Sequence, residues 1–361
     1  MARTNATNFT GGLQFPYATA AADLFKKEDV QVLAQAVDQH DHTAGKGAVV
    51  NTTPANASIT NAMLGSDVAR ANLLTNGGFE IWQRGTGPFT TNGGFAADRW
   101  RIALSGSSTL SISKSSSTPS IGGSSAQVVH AGASAGNTSL YQEWKQGDGL
   151  LTSYNFTLSA MVLSSVANAV RLRLNLDTGG YALGAYHSGG GGWERLTVSG
   201  VLPNVAVKLE SQIEFAAAGT FYIDNMTLVV GSQAADYAPL HPADDLARCQ
   251  RYYQNWQAAG AVNSVLCSGQ AFATTGWDGV VWPVARFAVA PTLTFSPLAN
   301  WSLLSAAGGN LPCTGLSAQT LPGGNSQINI TANVASGLVG GNASLLMMAN
   351  ANVFMAAEAN P

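Results

Sequence analysis

Between residues 72 and 230 the chain alternates apolar and polar residues in short runs that glycines separate. Residues 154–159 (YNFTLS) and 170–176 (VRLRLNL) show the alternation, and glycine-rich breaks follow at residues 179–180 and 189–192. Because successive side chains of a strand point to opposite faces of its sheet, this period of two predicts half-buried β-strands joined by tight turns. Runs of this length and spacing favour a sandwich of about eight strands.

The composition supports a mainly β fold and excludes several classes of protein. Charged residues make up 10% of the 361 residues, against about 25% in a typical globular protein, whereas hydrophobic residues reach 46%. The net charge of −3 leaves no basic surface for nucleic acid. No apolar run approaches the roughly 20 residues of a transmembrane helix, and the N-terminus lacks the apolar segment of a signal peptide. We therefore expect neither a nucleic-acid partner nor membrane insertion.

The three cysteines, Cys249, Cys267 and Cys313, are odd in number and lack the spacing of metal ligands. They predict buried thiols in a protein that folds in a reducing cytoplasm. Such a protein would leave the cell by assembly or lysis rather than by secretion.

Two phrases mark the ends of the alternating region. Residues 72–80 (NLLTNGGFE) would form its first strand and residues 221–228 (FYIDNMTL) its last strand, and sheet folds of this kind often pair those two strands. This interpretation predicts three domains: an N-terminal arm with a short helix over 1–70, a central β-jelly-roll sandwich over 71–232, and a C-terminal β-sandwich over 233–361.

The arm contains one stripe of apolar residues with helical spacing. Val30, Leu33 and Val37 are separated by three and four residues, as in the seam of a short coiled coil. Two heptads cannot hold a helix alone in water. The stripe therefore docks either on its own subunit or on copies of itself, and both alternatives stay open.

His40 and His42 follow this stripe directly. Alternation in an extended chain would place their two imidazoles on the same side. In a parallel trimer, three such pairs would offer six nitrogens to a metal on the threefold axis. Solvent-exposed histidines that end the helix are the alternative.

The C-terminal stretch is nearly uncharged, since Glu358 is the single charged residue after Arg286. A monomeric domain that exposed such a surface would be poorly soluble. Either neighbouring subunits cover this surface, or neutral Asn, Ser, Thr and Gly side chains keep it hydrated. Together with the stripe in the arm, the first alternative predicts a fibrous homotrimer.

Several longer phrases carry a resemblance to known proteins. Residues 72–80, 81–85 (IWQRG), 95–100 (FAADRW) and 246–253 (LARCQRYY) together resemble bacteriophage tail-fibre and virion-appendage proteins. Residues 281–295 (VWPVARFAVAPTLTF) match a phrase that recurs in the same proteins. The jelly-roll part is also similar to carbohydrate-binding modules attached to glycoside hydrolases.

The resemblance implies a structural protein of the virion, such as a tail fibre, a head fibre or a neck whisker. Its N-terminus would attach to portal, neck, tail or capsid proteins, and its outer part would adhere to host-surface glycans. A tail-associated polysaccharide hydrolase and a capsid decoration protein without a ligand are the alternatives.

The resemblance also implies metal sites. Glu80 and Asp224 match acidic residues that help to bind a structural calcium in similar carbohydrate-binding modules, and backbone carbonyls near Asn76 and Gly77 would add oxygen ligands. A turn cap at Glu80 and an exposed carboxylate at Asp224 are the alternative. Some phage fibres of this organisation bind iron through repeated His-x-His steps, whereas this chain has a single step.

Tryptophans are the candidate sugar-binding residues. Trp82, Trp144 and Trp193 would stack against pyranose rings, although a tryptophan in a sandwich is more often part of the core. Trp100, within the phrase 95–100, is expected in the core.

The sequence lacks two motifs of catalysis, the phosphate-binding loop and His-Glu-x-x-His. Glu210 and Glu214 would share one face of a predicted strand, as a glycosidase pair could, but the sequence favours ordinary residues of a solvated strand face. We expect no enzymatic activity.

Overall fold

The computed structural model describes residues 71–119, 121–134, 136–145, 149–258, 263–306, 308–320 and 326–360. The chain divides into two compact units, Met1–Ile59 and Thr60–Pro361, and the described residues belong to the second unit. The predicted arm over 1–70 lies outside the described residues, together with its named positions Val30, Leu33, Val37, His40 and His42. The boundaries of the three predicted domains stay predictions.

The first ten strands build an antiparallel sandwich. They are β1 Arg101–Ala103, β2 Thr109–Ser115, β3 Ser125–Ala131, β4 Ser139–Lys145, β5 Asn155–Ser164, β6 Val170–Asn175, β7 Tyr181–Tyr186, β8 Trp193–Val201, β9 Lys208–Phe215 and β10 Gly219–Val230, with a 3-10 turn at Asp177–Gly179. The first sheet has the order β1-β4-β9-β6-β7, and the second sheet has the order β2-β3-β10-β5-β8. The predicted mainly β fold with a central jelly-roll sandwich is confirmed.

The alternating pattern of the sequence places one side of each strand in the core. In β6, Val170, Leu172 and Leu174 are fully buried between the sheets, whereas the residues between them face outward. Trp100 is fully buried and stacks on Phe79 with ring centroids 4.9 Å apart. Removing a large apolar side chain from water contributes roughly 1.5–3 kcal/mol, so this core supplies much of the stability of the sandwich.

The phrase at 72–80 pairs with β10 but is not a strand. Leu73 N donates to Leu228 O at 3.0 Å, and Asn72 Oδ1 accepts from Leu228 N at 3.0 Å. Asn76 and Phe79 then take positive φ values of 56° and 51°, which interrupt an extended ladder. The expected contact between the two ends of the domain therefore forms, partly through the side chain of Asn72.

The described residues of the C-terminal part form one helix and nine strands. They are α1 Pro242–Gln250, β11 Tyr253–Gln257, β12 Ser264–Ala271, β13 Gly276–Val281, β14 Thr292–Phe295, a 3-10 turn Leu298–Asn300, β15 Trp301–Ser305, β16 Asn310–Thr320, β17 Ile328–Val334, β18 Ala343–Met348 and β19 Phe354–Glu358. Three strands form a small sheet in the order β11-β19-β14, and six close into a barrel in the order β12-β13-β17-β16-β15-β18. No helix among the described residues is long and apolar enough to span a membrane.

The barrel corrects the predicted C-terminal sandwich. Closure leaves no unpaired strand edge in these six strands. Its core contains the fully buried Trp277, and glycines make room for the indole, since a Cβ on Gly269 or Gly279 would lie 2.4 or 2.2 Å from the ring. Alternation alone predicts strands but does not distinguish two stacked sheets from one closed sheet.

Two arginines join the sandwich to the C-terminal part. Arg84 lies 3.7 Å from the ring centroid of Tyr253 and forms ion pairs with Asp98, at 3.3 Å, and with Glu358. Asp98 is 1% exposed. Burial raises the pKa of Asp98, which the positive charge of Arg84 counteracts.

A second arginine strengthens this contact between the sandwich and the C-terminal part, which we call the junction. Arg99 lies 3.8 Å from the ring centroid of Tyr252, and it donates to Asn360 Oδ1 and to Glu143 O at 2.7 Å each. The junction therefore brings together the phrases at 81–85, 95–100 and 246–253.

Candidate functional site

The outward face of the first sheet concentrates charged and aromatic side chains in a chain with few charges. In β6 the buried positions alternate with Arg171, Arg173 and Asn175, which therefore point away from the core. In β9, Leu209 and Ile213 are buried in the core, so the side chains of the alternate positions share the outward face. The outward residues of β9 include Glu210, Gln212 and Glu214.

Strand register aligns these residues in rows across the sheet. Between β9 and β6, Glu214 lies opposite Arg171, Gln212 opposite Arg173 and Glu210 opposite Asn175. On the other side of β9, Tyr141 and Glu143 of β4 lie opposite Gln212 and Glu210. At the edge of the sheet, Tyr181 lies opposite Asn175 and Tyr186 opposite Arg171.

The arginines of this face are held between carboxylates and tyrosine rings. Arg171 Nη2 lies 2.6 Å from Glu214 Oε1, and Arg173 Nη1 lies 3.3 Å from Glu214 Oε2. The guanidinium of Arg171 is 4.5 Å from the ring centroid of Tyr186, and that of Arg173 is 4.1 Å from the ring centroid of Tyr181. These cation–π and charge-assisted contacts restrict the rotamers of long side chains, so the face is preorganised.

Glu210 is the most connected carboxylate of the face. It accepts hydrogen bonds from Lys208 Nζ at 2.7 Å, Asn175 Nδ2 at 2.8 Å and Gln212 Nε2 at 2.6 Å. Burial opposes its ionisation, but these hydrogen bonds outweigh burial and hold the pKa of Glu210 below its usual value. Burial raises the pKa of the neighbouring Tyr141, so its hydroxyl remains a donor.

The side chains at the centre of this face are buried, whereas those at its edge are exposed to solvent. Gln212 is 2% exposed, whereas Tyr181 of the edge strand β7 is 57% exposed. Polar groups in fixed positions can hydrogen-bond sugar hydroxyls, and an exposed tyrosine ring can pack against the C–H groups of a pyranose. Glu210 and Glu214 were expected from the sequence to share a strand face, whereas the tyrosines and arginines beside them were not expected.

The three tryptophans named from the sequence lie on separate elements. Trp144 is on the core-facing side of β4 and meets Phe156 edge-on at 6.0 Å. Trp193 begins β8 of the second sheet, and Trp82 precedes β1 and donates from Nε1 to Phe79 O at 2.5 Å. All three are half-buried. The structure does not gather them into one platform, and their role in sugar binding stays a prediction.

Glu80 and Asp224 lie on either side of one small space. A Cβ on Gly122, which has a φ of +102°, would lie 3.0 Å from Glu80 Oε1 and 3.6 Å from Asp224 Oδ2. Glu80 is oriented by Ser124 Oγ, which donates to Glu80 Oε2 at 2.9 Å, and by Gly123 N. The absence of a side chain at Gly122 thus leaves a cradle beside both carboxylates.

The oxygens around this cradle suit a hard cation. Asp224 Oδ2 and Asn225 Oδ1 are buried and have no hydrogen-bond partner among the described residues. Burial, together with the nearby charge of Glu80, raises the pKa of Asp224 to about 8. A calcium ion would satisfy Asp224 Oδ2, with Glu80 and Asp224 as oxygen ligands. Within the described ranges, no three His, Cys, Asp or Glu side chains come together as a metal cluster.

No protein-family model matches the chain, and no curated protein matches it. Solved structures that resemble part of it include carbohydrate-binding modules with jelly-roll folds and one phage tailspike. The CBM22-1 xylan-binding domain of Paenibacillus barcinonensis is 16% identical and has a TM-score of 0.31, with 46% of this chain and 99% of that chain covered.

Two longer structures are similar over the same share of this chain. A Clostridium thermocellum xylanase with CBM22-1 and GH10 modules is 14% identical, with a TM-score of 0.34, and the match covers 45% of this chain and 29% of that chain. Tailspike protein 4 of bacteriophage CBA120 is 14% identical, with a TM-score of 0.31, and the match covers 44% and 21%. The chain thus spans less than a third of either structure.

Proposed function

We propose that this protein is a structural appendage of a phage virion that binds host-surface glycans through the outward face of its first sheet. The position of the binding site is proposed from one observation. Although the chain is only 10% charged, it places paired arginines, carboxylates and tyrosines together on one strand face. The virion role is supported by the phrases that resemble phage appendages. Three of those phrases form the junction around Arg84 and Arg99.

In this proposal a sugar ring packs on Tyr181 at the open edge, and its hydroxyls bond to polar groups of the next strands. Asn175 and Glu210 lie in the same row as Tyr181. A single shallow contact of this kind binds weakly. A homotrimer attached to the particle through residues 1–70 would present three such faces, and effective concentration would then strengthen the attachment without new contacts.

We propose binding rather than hydrolysis. A glycosidase needs one protonated carboxyl group and a second carboxylate about 5–9.5 Å away. Glu210 and Glu214 are four residues apart on one strand, which corresponds to about 13 Å. Glu143 lies directly opposite Glu210, but the lowered pKa of Glu210 opposes a role as proton donor.

The test compares full-length protein with Tyr181→Ala and with Tyr154→Ala in binding to purified host polysaccharide by calorimetry. Tyr154 is 52% exposed outside this face, so it is a matched control. We expect Tyr181→Ala to weaken binding by about tenfold and Tyr154→Ala to have no effect. Wild-type protein that binds no host glycan, or equal effects of the two substitutions, would contradict the proposal. Release of reducing ends would instead establish the hydrolase.

A further inference from the structure

The outward face of the first sheet carries a surplus of positive charge. The five strands of this sheet contain five cationic side chains and three carboxylates, whereas the strands of the second sheet hold two residues of each sign. The cationic residues of the first sheet are Arg101, Lys145, Arg171, Arg173 and Lys208, and its acidic residues are Glu143, Glu210 and Glu214. They alternate with core-facing residues, so all of them belong to the outward face. This face is therefore positive in a chain whose net charge is −3.

The hydrogen-bond acceptors at the centre of this face are already engaged. Glu210 accepts three hydrogen bonds, and both oxygens of Glu214 accept from arginines. Gln212 accepts from Asn137 Nδ2 at 2.6 Å and donates to Glu210. A ligand on this face therefore finds few free acceptors for its own donor groups.

Hydrogen-bond donors, in contrast, are unused in one row of this face. Strands β1, β4, β9 and β6 contribute to this row Arg101, Tyr141, Gln212 and Arg173. Arg173 donates from Nη1 to Glu214 at 3.3 Å, whereas its buried Nε has no partner and its Nη2 makes no hydrogen bond with the described residues. Arg101 donates from Nε to Gly93 O at 2.8 Å and forms no ion pair within the described ranges. Burial raises the pKa of Tyr141, whose protonated hydroxyl also makes no hydrogen bond with a described residue.

We infer that the glycan bound by this face carries an anionic group, a carboxylate, sulfate or phosphate, which Arg173 and Arg101 recognise. An ionised oxyanion only accepts hydrogen bonds, so it matches a row whose free groups are donors, whereas the hydroxyls of a neutral sugar both donate and accept. The planar fork of an arginine binds such a group in a bidentate manner. The guanidinium of Arg173 lies 4.1 Å from the ring centroid of Tyr181, so a sugar that packs on this ring brings its substituents close to Arg173. The inference rests on the proposed glycan binding and adds the chemical class of the glycan.

The test measures binding of full-length protein to an array of oligosaccharides, in which each backbone is present in neutral, carboxylated, sulfated and phosphorylated forms. We expect an acidic form to bind at least about tenfold more tightly than the neutral form of the same backbone, as a hydrogen bond to a charged group provides. The preferred form identifies the anionic group. Arg173→Gln and Arg101→Gln should each remove most of this preference. Arg195→Gln is the matched control, because it removes the same charge from a 31%-exposed arginine of the second sheet and should keep the preference.

The possible outcomes separate the class of glycan from glycan binding itself. Equal binding of neutral and acidic forms overturns the inference and leaves the proposed function intact. A preference for acidic forms that Arg195→Gln reduces as much as Arg173→Gln does also overturns the inference, because the overall charge of the protein would then be its cause. Protein that binds no form of any backbone contradicts both the inference and the proposed function.

Salt provides a second measurement, which needs no variant to fold. At about 1 M sodium chloride the Debye length falls to about 3 Å, so binding of the acidic forms should weaken while binding of the neutral forms stays constant. A preference that high salt leaves unchanged would overturn the inference, because partly exposed arginines would then not recognise the charge. Arg173→Lys keeps the charge but lacks the planar fork, so it should retain only part of the preference.

Discussion

The sandwich and the barrel are built from similar short strands, but charged side chains are concentrated on the sandwich and are rare on the barrel. The first sheet of the sandwich places arginines, lysines and glutamates on its outward face, where they pair with one another and with tyrosines. The barrel and its neighbouring sheet carry Asp278, Arg286 and Glu358 over the sequence from 263 to 361. Trp282 and Val284, in the connection between β13 and β14, are exposed apolar side chains of this part.

This difference indicates two kinds of surface on one unit. Paired charges remain hydrated and present directional hydrogen-bonding groups, which suits a polar ligand such as a sugar. A surface without charges loses little on desolvation, which suits contact with another protein surface. The predictions below are ordered by the size of the effect that we expect.

The largest effect should come from the barrel core. Trp277→Ala removes a fully buried indole and leaves a cavity that Gly269 and Gly279 cannot fill. We expect a loss of about 3–5 kcal/mol in the free energy of unfolding. Phe272→Ala is the control, because Phe272 is 60% exposed in the same domain and should cost no more than about 0.5 kcal/mol. Urea unfolding followed by tryptophan fluorescence measures both, and equal losses would show that the barrel is not held by its apolar core.

The next largest effect should come from breaking the ion pair between Arg84 and the buried Asp98 at the junction. Arg84→Ala would leave the 1%-exposed Asp98 without its ionic partner and would remove the contact with Tyr253. We expect a loss of about 3 kcal/mol, since an uncompensated buried charge costs more than the pair contributes.

The double variant Arg84→Ala with Asp98→Asn separates the cost of the unpaired charge from the loss of the contact with Tyr253. It removes the unpaired charge, so it should recover part of the stability. Melting temperatures from calorimetry report the outcome. A single variant as stable as the wild type would show that the junction is not maintained by this ion pair.

The sequence predicts the strands better than their assembly. Alternation in residues 170–176 correctly places Val170, Leu172 and Leu174 in the core, because a period of two depends only on local geometry. Closure of the barrel depends on which distant strands pair, and a single sequence does not show this. The same limit applies after α1, which ends at Gln250 and is followed by β11, a strand that forms by pairing with the distant β19.

The candidate site was predictable only in part. The spacing Arg171-x-Arg173-x-Asn175 in a chain with so few charges indicates a polar strand face. Its partners Tyr141, Glu210 and Tyr186 come from three other strands, so only the register brings them together. Glu80 and Asp224 were paired correctly as neighbours because the two ends of the domain pair, whereas the unsatisfied oxygen of Asn225 required the structure.

Calcium should stabilise the sandwich by an intermediate amount. An ion that binds only the folded state contributes about 2.7 kcal/mol at a hundredfold excess over its Kd. We therefore expect a chelator to lower the melting temperature of full-length protein and added calcium to restore it. Asp224→Asn should remove the response to calcium. The idea fails if metal-stripped protein melts at the same temperature with chelator and with excess calcium.

The smallest effect should come from the charges of the outward face. The pKa of Glu210 is lowered in the folded state, so the unfolded chain binds the proton more tightly, and ionised Glu210 stabilises the fold at pH values above its usual pKa of 4.5. This contribution is lost as the pH falls through the lower pKa of the folded state. Glu210→Gln should therefore cost stability at pH 7, by less than about 1 kcal/mol because Lys208 is 35% exposed, and the cost should shrink at pH 3. Urea unfolding at both pH values measures it, and a difference from the wild type that stays constant with pH would mean that Glu210 contributes through packing rather than through charge.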